Sequence, residues 1–303
     1  MIFKLQNSIN QRVIVPEDSG VELILKREDA IHPFISGNKY RKLKYNIEGA
    51  KKLGFTKLLT FGGAYSNHIA AVAFAGKTFG FETIGIIRGE ELKDKIQDNS
   101  TLLFAESCGM QFEFVSREVY RNKNSKDFIE SLNHVHKDFY LIPEGGTNSL
   151  AVKGCEEILT DTDADFDYVC CAVGTGGTIS GIINCSQPRQ QILGFPALKG
   201  DFLQEDISKF VNKLNWNLIL DYHFGGYAKI NDKLVHFIND FKKENNIPLD
   251  PVYTGKMMFG IFDLIKNDYF PKGSKILAIH TGGLQGIEGM NKTLKYKRRL
   301  LIE

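Results

Sequence analysis

Along the chain, short apolar runs rich in β-branched and aromatic residues alternate with longer stretches in which apolar positions recur at helical spacing. Strands covered on both faces are apolar almost throughout, and parallel strands must be joined by a crossover, so this alternation predicts an α/β protein of parallel strands and covering helices. Strands are expected at 22–26, 57–61, 83–88, 111–115, 139–142, 168–173, 191–195 and 275–279. Helices fill most of the gaps. One is marked by Leu43, Ile47 and Ala50, runs over 43–53, and stops at Gly54, a residue suited to a C-terminal cap. Residues 44–147 carry four of the strands and are expected to form a smaller domain. Both ends of the chain, 1–43 and 148–303, then form a larger one.

Composition narrows the function without choosing it. At 303 residues the chain suits two domains around a cleft, and 43% hydrophobic with 24% charged residues is ordinary for a globular protein. Basic and acidic side chains number 38 and 36, a formal charge of +2, so no broad positive field is available for nucleic acid or an anionic membrane. No run of about 18 apolar residues suggests a membrane span. The first ten residues mix Lys4 and Gln6 among apolar ones and show no secretion signal. The five cysteines, including adjacent Cys170 and Cys171 in a strand, have neither an even framework nor zinc spacing. They are read as reduced thiols of a cytoplasmic protein, with no metal site.

Two stretches imitate nucleotide motifs. Gly76-Lys77-Thr78 ends like a phosphate loop, but Ala71 stands where its first glycine belongs and the segment reads as unbroken helix, so Lys77 is expected to be solvated. Gly174-Thr175-Gly176-Gly177-Thr178 follows a strand, but Ile179 occupies the position where a dinucleotide fingerprint needs a small residue. Its backbone N–H groups and two threonine hydroxyls still suit an anion, against the plainer reading of an empty tight turn.

Lys39 precedes the expected helix, where its charge would oppose the helix dipole unless lost or neutralised. Such an amine is either a solvated loop lysine or a reactive one. Lys42, Lys44, Lys51 and Lys52 read as exposed helix charges. Ser66 and Asn67 begin a helix after Gly62 and Gly63, a geometry that serves a helix cap and a bound carboxylate equally. His68 reads first as a surface helix histidine.

Ser36-Gly37-Asn38-Lys39 with Arg41-Lys42, Gly62-Gly63 with Ser66-Asn67, Ile142-Pro143 with Gly145-Gly146 and Asn148, residues 174–178, Asp250-Pro251-Val252-Tyr253 with Gly255-Lys256, and residues 280–283 occur in one order. Together they resemble the family of 1-aminocyclopropane-1-carboxylate deaminases and D-cysteine desulfhydrases, enzymes that use pyridoxal 5′-phosphate. The resemblance implies a tryptophan-synthase-β-like fold, fold type II of such enzymes, with two open, twisted, mainly parallel sheets. By the same resemblance Lys39 holds the cofactor, residues Gly174, Thr175, Gly176, Gly177 and Thr178 cradle its phosphate, and Lys42 adds a second phosphate contact. Asn67 would meet the ring oxygen, Ser66 with Asn67 and His68 the substrate carboxylate, and Tyr253 and Tyr227 would be catalytic. Thr254 and Thr281 stand where the deaminase branch carries Glu and Leu; both favour the desulfhydrase branch, with a neutral ring nitrogen. Tyr227 is the weakest match, since the family usually has Gly at the place of Ala228. The implied reaction is elimination from a small amino acid such as D-cysteine. Alternatives are the deaminase itself, with Ser66 as nucleophile, and a cofactor-binding protein without turnover. A homodimer is common in the family.

Overall fold

The computed structural model describes residues 5–200 and 202–303, so Met1–Lys4 of the expected leaderless start lie outside it. Among the described residues ten strands form two sheets. One has the order β1-β2-β10-β7-β8-β9, from Asn10–Arg12 (β1), Glu22–Lys26 (β2), Tyr168–Val173 (β7), Gln191–Pro196 (β8), Trp216–Leu218 (β9) and Lys275–Ile279 (β10). The other has the order β5-β4-β3-β6, from Lys57–Gly62 (β3), Glu82–Arg88 (β4), Met110–Val115 (β5) and Phe139–Ile142 (β6). Every pairing is parallel except β1 with β2. The eight expected strands are present, each within a residue at either end. The two additional ones are three-residue edges: β1 reads Asn-Gln-Arg, with no apolar alternation, and is held by its register with Leu25 and Ile24.

Period two explains the two-sided burial. In β7, Cys170 and Ala172 pack in one core with Leu23, Leu25 and Ile276, while Val169, Cys171 and Val173 pack in another with Ile24 and Leu277. Cys170 and Cys171 therefore face opposite sides of the sheet, and all five cysteines are free thiols. Among the described residues no helix is long and apolar enough to cross a membrane.

The helix expected at 43–53 begins earlier, at Asn38, and runs to Lys52 (α1). Lys39 thus lies inside its first turn rather than before it. Gly154, in the helix Ser149–Cys155, lets that helix pack directly on α1, since a Cβ there would sit 1.9 Å from the Arg41 carbonyl oxygen. Arg41, buried in this contact, donates from Nε and Nη2 to the two carboxylate oxygens of Glu28, both at 2.9 Å. The second helix, Asn67–Phe79 (α2), contains Gly76-Lys77-Thr78 without a break, and Lys77 is exposed as expected.

Gly154→Ala should lower unfolding stability by about 2–3 kcal/mol through overpacking against backbone that cannot yield. The denaturant midpoint measures this, and an unchanged midpoint would contradict the close helix contact.

Candidate active site

The carboxyl ends of neighbouring strands β7 and β10 open onto the same cleft as the segments that follow β3 and β6, the place where open α/β sheets bind ligands. The cleft is lined by Asn38, Lys39 and Lys42 of α1, Asn67 of α2, Gly145, residues 172–176, Thr178, Tyr253 and the turn 281–283, with Phe34, Ser36, Ile179 and Gln285 at its margins.

Close backbone contacts bring these pieces together. Gly37, at φ 57°, lies so near the turn that a Cβ would be 2.2 Å from the Thr281 carbonyl oxygen, and the Asn38 N–H donates to that oxygen at 3.4 Å. Gly283, at φ 94°, would meet the Asn67 amide nitrogen at 2.8 Å. His280 fixes this turn: its Nδ1 accepts from the Gly282 N–H at 3.2 Å and its Nε2 donates to the Pro248 carbonyl at 2.8 Å.

Lys39 reaches Asn38 Oδ1 at 3.3 Å. Its pKa is lowered to about 7 by burial and then by the nearby Lys42 charge, with Cys155 and Asp250 pulling weakly the other way. A helix N-terminus acts in the same direction. The amine is therefore uncharged to a substantial degree near neutral pH. Lys42 overturns its reading as an exposed helix charge. It is only 3% exposed and donates to the Gly145 carbonyl at 2.9 Å, to Thr147 Oγ1 at 3.0 Å and to Thr175 Oγ1 at 3.4 Å. Burial lowers its pKa too.

The glycine turn has the form of an anion cradle. Gly176 takes φ 83° and caps the helix Gly177–Cys185 without any side-chain cap, leaving the first-turn N–H groups free for a ligand. Thr178 Oγ1 accepts from the Asn38 amide at 2.8 Å, and Thr175 and Thr147 share a hydroxyl contact of 2.6 Å. A Cβ on Gly177 would stand 3.3 Å from Lys42 Nζ, so the ammonium lies against the turn. Asn38 and Thr147 had no role assigned from sequence, because a polar residue in a helix start or a loop gives no periodic signal.

The remaining candidates divide. Asn67 lines the cleft, and its buried Oδ1 has no hydrogen-bond partner. Ser66 caps α2, accepting from the Ile69 N–H at 3.3 Å, and stays just outside the lining. His68 is not a surface histidine: it is 2% exposed, away from the cleft lining. Thr60 Oγ1 donates to the Ile142 carbonyl at 2.8 Å and so accepts from His68 Nε2 at 2.8 Å, leaving Nδ1 buried and unpartnered. Burial, then the charges of Lys39 and Lys42, hold its pKa well below the usual value.

Thr281 lines the cleft, whereas Thr254 does not, correcting its expected place beside a cofactor ring. The Thr254 hydroxyl is fully buried, donating to Asp250 Oδ2 at 2.6 Å and accepting from the Asp250 N–H at 3.0 Å. Asp250 also accepts from the N–H groups of Val252, Tyr253 and Thr254, which fixes the start of the helix Thr254–Lys266. Tyr253 leans on Gly174, where a Cβ would be 3.1 Å from its ring. Tyr227 lies outside the lining and meets the Tyr253 ring at a centroid distance of 6.2 Å and 66°. Burial raises the pKa of both phenols, that of Tyr253 well above normal.

These features fit pyridoxal phosphate: a free-N–H turn backed by a buried lysine for the phosphate, and a low-pKa amine for the aldehyde in the cleft that Asn67 also lines. The comparisons agree. The model of the pyridoxal-phosphate dependent enzyme family matches residues 13–282. A protein of Pyrococcus horikoshii provisionally named a 1-aminocyclopropane-1-carboxylate deaminase is 32% identical over 90% of this chain and 87% of its own. The bifunctional D-cysteine desulfhydrase/1-aminocyclopropane-1-carboxylate deaminase of Arabidopsis thaliana is 30% identical over 89% of this chain and 74% of its own. A crystal structure described as an ACC deaminase homologue superposes with a TM-score of 0.82 at 27% identity, over 96% of this chain and 93% of that one. The fold is accordingly type II, and this chain belongs to the pyridoxal-phosphate dependent enzymes, in the family of 1-aminocyclopropane-1-carboxylate deaminases and D-cysteine desulfhydrases.

Proposed function

We propose that this lyase eliminates the β-substituent of a small amino acid, with D-cysteine as the preferred substrate: D-cysteine and water give pyruvate, ammonia and hydrogen sulfide. One observation carries the reading. Of the two threonines that replace the deaminase branch's Glu and Leu, Thr281 lines the cleft, and Thr254 is tied to Asp250 behind it. A hydroxyl beside the cleft suits a neutral ring nitrogen, and a good leaving group such as sulfide makes the smaller demand on electron withdrawal.

Bound pyridoxal phosphate supplies an aldehyde for an amine and a ring that draws electrons from the substrate's α-carbon. The chain's residues do the rest. Lys39 would hold the cofactor through its amine and serve as the base for the α-proton, a role its low pKa suits. Lys42 and the turn 174–178 anchor the phosphate. The Asn67 amide N–H would donate to the ring oxygen, and the N–H groups at the start of α2, which Ser66 caps, would hold the substrate carboxylate. Tyr253, kept protonated by burial and by neighbouring Tyr227 and Asp250, donates a proton to the leaving group. His68 supports this arrangement from behind through Thr60 rather than by touching substrate.

The second reading, ring-opening of 1-aminocyclopropane-1-carboxylate, is favoured by the names of the relatives above. The loaded enzyme should release pyruvate and sulfide from D-cysteine at least about tenfold faster, in kcat/KM, than it acts on L-cysteine, L-serine or 1-aminocyclopropane-1-carboxylate. Dominant 2-oxobutyrate from the last would establish the deaminase instead. No product from any amino acid would leave a binding protein without turnover. Lys39→Ala should lower turnover by at least about a thousandfold.

Reactivity at Lys39 opposes stability. Its folded pKa of about 7 lies below the ordinary 10.5, so folding near neutral pH strips or buries a charge that the unfolded chain keeps. The penalty is complete below pH 7 and disappears as pH rises to the unfolded value. Cofactor-free Lys39→Met should therefore melt higher than the unaltered protein at pH 6.5, with the gap closing towards pH 10. A gap that widens with pH would contradict the lowered pKa.

A further inference from the structure

The helix that Tyr253 introduces also carries Lys256 in its first turn, a side chain only 2% exposed. A cation there opposes the helix dipole and is removed from water, two unfavourable terms that a methionine of similar length would avoid. What the ammonium gains is specific. Its Nζ donates to the His223 carbonyl at 2.9 Å and to the Gly226 carbonyl at 2.8 Å. Those two carbonyls belong to the loop that bears Tyr227.

The loop is otherwise poorly suited to stay in place. Phe224 and Ala228 both take φ 54°, and Gly225 and Gly226 take 94° and 118°. Left-handed backbone at two residues with a Cβ persists only when its surroundings impose it. Ala228 stands where the family usually has Gly, and the positive φ explains why Gly suits the position. Tyr227 is 43% exposed and so is not seated by burial of its whole ring. Inside the loop, the Gly226 N–H donates to the His223 carbonyl at 3.0 Å, the Lys229 N–H to the Gly226 carbonyl at 3.1 Å, and the Gly225 N–H to His223 Nδ1 at 2.9 Å. Lys256 thus grips the same two carbonyls that close the turns.

From this geometry we infer that Lys256 is a positioning residue: by holding the 223 and 226 carbonyls it clamps the strained loop to the first turn of the helix and keeps Tyr227 against Tyr253. One helical turn then bears on both phenols, Tyr253 directly and Tyr227 through the clamp together with its hydrogen bond to Tyr253. Burial lowers the Lys256 pKa to about 8, against the pull of Asp250, which leaves the group mostly as the ammonium at neutral pH, the state with three donors. This inference rests on the two tyrosines being part of the active site, but the clamp itself is measured apart from turnover.

Amide hydrogen exchange of the cofactor-free protein reads it. In the unaltered protein the Gly226 and Lys229 amides should exchange at least about tenfold slower than in an unstructured chain; free exchange there would overturn the clamp whatever happens to any variant. Lys256→Met should speed exchange at 223–229 by about tenfold or more, with β7 and β10 amides unchanged. In the loaded enzyme it should lower kcat by about tenfold with KM within about threefold, and adding Tyr227→Phe should lower it little further. Unaltered loop exchange in Lys256→Met would overturn the inference. Faster loop exchange with full additivity of the two substitutions would overturn the link to Tyr227, and faster exchange in a variant of unchanged turnover would count against the role of Tyr227 in the reaction.

Discussion

An uncharged lysine amine inside a cleft is expensive to maintain, and most of what surrounds Lys39 concerns that problem. Partial burial in the cleft penalises its charged form, a second lysine lies close enough to repel its proton, and it sits in the first turn of a helix whose dipole acts the same way. Of the opposing influences, Cys155 and Asp250, the buried carboxylate of Asp250 is already occupied by three backbone N–H groups and a threonine hydroxyl. Its charge is thereby spread into the helix start rather than offered to Lys39 as an ion-pair partner.

The same economy governs the cleft as a whole. Carboxyl ends of β7 and β10 supply the phosphate turn and the turn 281–283, while β3 and β6 lead into α2 and the Gly145 loop. Contact between these parts depends on missing side chains: Gly37 against Thr281, Gly283 against Asn67, Gly174 against Tyr253. Lys42 ties the parts by donating to Gly145 and Thr147 in the loop after β6 and to Thr175 in the turn after β7, two segments far from it in sequence. A phosphate at the turn would complete the arrangement, because the N–H groups there have no cap of their own.

Strands buried on both faces were legible in the sequence because nothing but apolar side chains fits them, as Val169–Val173 illustrates. Edge strand β1 was not, since Asn-Gln-Arg gains its order only from the partner strand. The early start of α1 was hidden for a related reason. Its first turn reads Asn-Lys-Tyr-Arg-Lys, which a hydrophobicity argument assigns to solvent, yet Arg41 is paired with Glu28 and Lys42 is enclosed by carbonyl and hydroxyl oxygens. His68 misled in the same way: its partner is the hydroxyl of Thr60, eight residues away on β3, and no carboxylate in the sequence could have announced it. Motif order pointed to Lys39, Asn67, Thr281 and the glycine turn, which the fold brings to one cleft, while only the fold distinguished Thr281 at the cleft from Thr254 behind it.

The central claim is that one primary amine, Lys39, holds the cofactor. Reducing the pyridoxal-phosphate-loaded protein with borohydride, digesting it and sequencing the modified peptide by mass spectrometry tests this directly. The account predicts a single stoichiometric pyridoxyl adduct on Lys39, with Lys42 and Lys256 unmodified. Stoichiometric modification of any other lysine, with Lys39 intact, would contradict it.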